Sequence, residues 1–101
     1  MDPEQPNITV SDVVVSNAGR DQGDLFYVIG TDPVYLLLAN GKDRTLDKPK
    51  RKKRKHVSVV LRPETRVAAK IKAGDKVLNS ELRRDLAFLS REMQSINLGG
   101  F

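Results

Sequence analysis

The chain has 101 residues, a net charge of +5, 39% apolar residues and no cysteine. That length fits one small domain with one core, and the missing thiols exclude disulfides, thiol catalysis and cysteine-ligated zinc. No apolar run approaches the ~20 residues of a membrane-spanning helix, and MDPEQPNITV has neither the basic nor the apolar region of a signal peptide, so a cytoplasmic location is expected.

Residues 1–9 open the chain with Pro3 and Pro6 and are expected to form a flexible tail. Val10–Ser16 then reads as a strand with Val13–Val15 buried, and Asp24–Gly30 as its partner. The loop between them, built from Ser, Asn, Gly and Asp, has the composition of a shaped hairpin connection. Gly19 and Gly23 are expected to be structural there, and Arg20 to stand at the tip. Asp32-Pro33 marks a turn. Val34–Ala39, VYLLLA, is continuous in apolar residues and reads as a central strand. Asn40-Gly41 predicts a two-residue hairpin turn, with Lys42–Leu46 as a short fourth strand. His56–Leu61, HVSVVL, completes a set of five.

Beyond Arg62-Pro63 the period changes from strand to helix. Glu64–Lys72 predicts a short helix ended by Gly74. A longer one follows, capped by Asn79 or Ser80 and running to about Ser95. Leu82, Leu86, Leu89 and Met93 form a single stripe on it, expected to dock on the strands or on the first helix. The expected organisation is a tail (1–9), a small partly open barrel of about five short strands (10–61) and a helical C-terminal extension (62–101).

Charge is distributed unevenly. Residues 48–55 hold seven of the 18 Lys and Arg and no acid, whereas residues 1–47 hold three basic and eight acidic residues, a net −5. The run KPKRKKRKH therefore dominates any polyanion-binding surface. Pro49 and mutual repulsion predict a solvated loop over residues 48–56 whose neutralisation leaves the fold intact. Six consecutive cations, Lys50–Lys55, require a counter-charge, and the phosphates of a nucleic acid would supply it. Charge alone chooses neither RNA nor DNA.

Three elements in order carry a family resemblance: VVVSNAGRDQG followed by LFYVI, then ANGKDR, then KPKRKKRKH. The first resembles the KOW motif of ribosomal and transcription-associated proteins. Together they are similar to small bacterial KOW-domain RNA-binding proteins, which are related to a KOW-bearing large-subunit ribosomal protein of archaea and eukaryotes. The resemblance spans about residues 10–60 and implies an SH3-like barrel. It also implies RNA, above all ribosomal RNA of the large subunit, as partner, with ribosomal proteins nearby and a role in association with the ribosome or in its assembly. In the family the first loop touches RNA.

The candidate RNA-binding residues are thus Asn17, Arg20 and Gln22 in the loop, with Lys48, Lys50, Arg51, Lys52, Lys53, Arg54, Lys55 and His56 in the basic run. Asp21 and Asp24 read as turn formers or hydrogen-bond acceptors. Tyr27 and Tyr35 lie inside apolar runs and are expected in the core rather than stacked on bases. A single histidine with no cysteine leaves no metal site in view, and no nucleophile elbow or phosphate-cradling loop points to an enzyme. No cofactor, small-molecule substrate or membrane is expected. The rival reading is a protein-interaction module of the transcription and translation machinery, using the barrel and the amphipathic C-terminal helix.

Overall fold

The computed structural model describes residues 7–99, with side chains described as far as Gln94. The chain is mainly β. Strands β1 (Val13–Ser16), β2 (Leu25–Thr31), β3 (Tyr35–Ala39), β4 (Lys50–Lys53) and β5 (Val57–Leu61) precede helices α1 (Arg66–Ala73) and α2 (Asn79–Gly99). A single 3₁₀ turn, Arg54–His56, joins β4 to β5. All strand pairings are antiparallel, in the order β4-β3-β2-β1-β5. The result is one open sheet with β4 and β5 at its edges. No helix among the described residues is long and apolar enough to cross a membrane.

Strand alternation sends successive side chains to opposite faces, and each face builds its own core. On one, Val13, Tyr27 and Ala39 pack beneath Val67 and Ala68 of α1 and Leu82, Leu86 and Leu89 of α2. On the other, Val14, Phe26, Val28, Leu36, Leu38 and Val57 gather with Ile8. The predicted α2 stripe is therefore spent on the sheet, with Met93 half-buried at its end. Each fully buried leucine contributes about 1.5–3 kcal/mol, enough to hold the helix down.

A polar knot fastens the helices to the sheet. The Tyr27 hydroxyl donates to Asp85 of α2, and the Thr65 hydroxyl donates to the same carboxylate at 2.8 Å. Thr65 also accepts the Ala68 amide at 3.1 Å and so caps α1, which is why that helix starts at Arg66 and not Glu64. Burial, reinforced by the Asp85 hydrogen bond and charge, pushes the Tyr27 phenol far above its ordinary range. Tyr27→Phe is expected to cost about 1–2 kcal/mol, a fall in Tm of roughly 4–16 °C, measurable by calorimetry.

Several expectations need correction. β1 begins at Val13, not Val10, because Ser11 has a φ of +79° and the Asp12 amide turns back to the Thr9 carbonyl at 3.1 Å. Residues 1–6 of the predicted tail lie outside the described residues, but Ile8 is 3% exposed and belongs to the core. Lys42–Leu46 is not a strand. Asn40 does not open a two-residue hairpin. Its Oδ1 accepts the amides of Lys42 (2.9 Å) and Arg44 (3.1 Å), which rounds the chain into a wider loop. The partner of β3 is instead Lys50–Lys53, the segment expected to be a solvated loop. At the start of α2, Asn79 does not cap the helix. Glu81 accepts the Leu78 amide at 2.9 Å, leaving Asn79 Oδ1 to bind the Leu46 amide at 2.8 Å.

Candidate nucleic-acid interface

Placing the basic run in a strand sorts its cations by face. Lys50 and Lys52 pair with Leu38 and Leu36 and lie on the second-core side, whereas Arg51 and Lys53 pair with Leu37 and Tyr35 on the opposite side. Consecutive charges thus point apart, which relieves the repulsion that argued for a loop. Lysines on an edge strand also leave its open backbone unattractive to a second chain.

The two inward lysines converge on the β1–β2 loop. Lys52, only 8% exposed, donates from Nζ to Asp21 Oδ1 and to the Ala18 carbonyl, each at 2.6 Å. Lys50 Nζ lies 3.1 Å from the other carboxylate oxygen. The Ser16 hydroxyl adds a third contact to Asp21, at 2.7 Å. Burial pushes the Asp21 carboxyl up, but the hydrogen bonds from Lys52, Ser16 and Lys50 outweigh it. They hold the group well below the usual carboxylate range. Lys52 therefore serves the fold, and neutralising all six cations of Lys50–Lys55 would remove it.

This anchor fixes the loop that carries Arg20. The Gly23 amide donates to the Ser16 carbonyl at 2.8 Å and the Gln22 amide to the Gly19 carbonyl at 3.2 Å. Arg20 and Gln22 remain exposed. Asn17 is exposed but engaged: its amide donates to the His56 carbonyl at 2.8 Å and its side chain to the Ser58 hydroxyl at 2.7 Å. That ties the loop to the 3₁₀ turn. Gly23 has a φ of +91°, and a Cβ added there would meet no atom within 4 Å. Gly23→Val is therefore expected to strain the backbone by about 1–2 kcal/mol with no clash at Cβ, as urea denaturation would show.

The site is thus smaller than the sequence indicates. Arg20, Gln22, Lys50 and Lys52 gather around Asp21, with His56 adjoining through its carbonyl. Arg54 is half-buried and gives Nε to the Asp32 carbonyl at 2.8 Å. Lys48, Arg51, Lys53 and Lys55 stay exposed. Neither a family model nor a curated protein matches this chain.

Two residues gain weight from the structure. Asp21, read as a turn former, is the counter-charge that the basic run needed. Its signal was present in the sequence, as an acid in the loop between the first two strands. Tyr35 is the other. Tyr27 is fully buried as expected, but Tyr35 is half-exposed at the start of β3, with the Arg51 guanidinium 3.6 Å from its ring centre.

Proposed function

We propose that this chain is a cytoplasmic RNA-binding protein built on a KOW-type SH3-like barrel. Its partner is structured ribosomal RNA of the large subunit, and it acts as a ribosome-associated or assembly factor. It works by binding and not by catalysis. The observation that carries this reading is the junction at Asp21, where Lys50 and Lys52 of β4 hold the Arg20 loop against the cationic strand. The strand order supports the fold assignment: four strands run as a meander, and β5 returns beside β1 after one 3₁₀ turn. The sequence resemblance supplies the choice of RNA.

The competing protein-interaction reading has less to work with, because Leu82, Leu86 and Leu89 of α2 are buried against the sheet.

Salt titration tests the proposal. With Lys50 and Lys52 engaged by Asp21, about five cations (Arg20, Lys48, Arg51, Lys53 and Lys55) remain for phosphates. The slope of log K against log salt is therefore expected near −4, at ~0.7–0.9 per phosphate. A flat dependence would remove the electrostatic account. Sucrose-gradient fractionation of lysate adds the cellular partner: comigration with the large subunit at low salt, lost at high salt, is expected. Signal confined to the top of the gradient at both salts would remove the ribosome.

A further inference from the structure

The sheet face that carries α1 and α2 is not covered along its whole length. Ala39 lies under the helices, but Leu37 and Tyr35, two and four residues earlier on the same face of β3, do not. Leu37 is 40% exposed and Val34, next to Tyr35, is 53% exposed. Leu37 spreads over Gly30 of the neighbouring strand, where a Cβ would stand 3.1 Å from its Cδ1. The missing side chain keeps this end of the sheet low and flat. Beside it, β4 contributes the two cations that point the same way, Arg51 and Lys53.

The Arg51 guanidinium is in van der Waals contact with the Tyr35 ring, 3.6 Å from its centre. Such a pair gains about 0.5–1 kcal/mol at an exposed site. Its larger consequence is that a long, flexible side chain is already ordered, so a ligand that stacks on it need not supply the ordering entropy. The inner face of the guanidinium is taken by the ring, and Arg51 remains exposed on its other side. A planar cation offered flat to solvent, flanked by Leu37 and Lys53, matches a nucleobase that stacks by its π-face while its phosphates meet lysine. Asp32, at the turn before Tyr35, accepts the amides of Val34 (2.8 Å) and Tyr35 (2.6 Å) with one carboxylate oxygen, Oδ1. A duplex cannot use such a surface, because its bases are stacked on one another and only edges and phosphates are presented.

We infer that the Tyr35–Arg51 pair is a stacking platform for an unpaired RNA base, so that the protein prefers single-stranded or bulged segments over continuous duplex. This rests on the RNA-binding reading and adds a second contact surface, on the sheet face opposite the Asp21 anchor.

The test uses the full chain and one 12-nucleotide RNA with a central 2-aminopurine, alone and annealed to its complement, followed by anisotropy and 2-aminopurine fluorescence. Arg51→Lys keeps the charge and removes the planar group, and Tyr35→Leu keeps apolar bulk and removes the ring. The wild type is expected to bind the single strand more tightly than the duplex and to quench the fluorophore. Arg51→Lys is expected to bind the single strand about five- to tenfold more weakly and to lose the quenching, with a smaller loss for the duplex and the salt slope unchanged because the charge is kept. Tyr35→Leu should behave alike, and Arg51→Lys decides the matter if that variant unfolds. Salt-dependent binding with wild-type single-strand affinity and quenching in Arg51→Lys would overturn the platform and leave the RNA-binding reading standing. No binding of either RNA by the wild type at low salt would overturn both.

Discussion

Asp21→Ala is expected to lower stability by about 3 kcal/mol, the cost of leaving one partner of a buried ion pair without the other. Lys52 would keep only the Ala18 carbonyl, and Lys50 would lose its 3.1 Å partner. Because Lys52 is 8% exposed, water cannot readily take the place of the carboxylate. The companion change Lys52→Met removes the charge that Asp21 neutralises. In the double variant the combined loss is expected to be smaller than the sum of the two singles, the signature of direct coupling.

The pH dependence follows the same bond. A carboxyl held below its unfolded value binds fewer protons in the native state than in the unfolded state. Its stabilisation is complete above about pH 5, shrinks as pH falls past about 4, and is lost through the native value. Wild-type stability should therefore drop across the acid limb more steeply than that of Asp21→Ala. Urea unfolding at a series of pH values would show this. Parallel acid limbs in the two proteins would mean that the Asp21 contacts do not stabilise the fold. Loosening of the Arg20 loop should accompany the stability loss, visible as faster amide exchange at Gln22 and Gly23, whose amides now bond Gly19 and Ser16.

Gly41→Ala is the second large effect, at about 3–5 kcal/mol. Gly41 has a φ of +77°, and a Cβ there would lie 2.2 Å from the carbonyl oxygen of Asn79 and 3.1 Å from the Leu82 Cβ. The obstacle is the backbone of the first turn of α2, which cannot swing aside as a flexible side chain would. Moving it breaks the Asn79–Leu46 hydrogen bond of 2.8 Å and the Arg83 hydrogen bond to the Gly41 carbonyl of 2.6 Å, and it lifts Leu82 from the core. Gly23→Ala is the control. It carries the same backbone strain, about 1–2 kcal/mol, with nothing within 4 Å. Comparable losses in the two variants would show that the close approach of the 40s loop to α2 is not what glycine serves at position 41.

The strands rich in apolar residues were legible in the sequence, since VVV, LFYVI and YLLLA are short runs with β-branched or aromatic residues set between turn formers. So was the α2 stripe, because Leu82, Leu86 and Leu89 meet on one helical face whatever they pack against. Gly19 and Gly23 were legible as loop glycines, and both adopt positive φ.

The basic run was not legible as a strand, for a physical reason. Its residues have low strand propensity and strong mutual repulsion, and both objections vanish only in three dimensions. Pairing with β3 sends alternate cations to opposite faces, and Asp21, about 30 residues earlier in the chain, neutralises the inward pair. The displaced fourth strand has the same origin: Asn40 spends its side chain on the amides of Lys42 and Arg44, so the chain cannot turn straight back after Gly41. Tyr27 and Tyr35 also looked alike in sequence, each set in an apolar run. Their different fates depend on where the helices stop along the sheet. Local chemistry thus determined the apolar strands, the two helices and where the charge lies. Long-range contacts decided which of those charges are tied into the fold and which stay exposed.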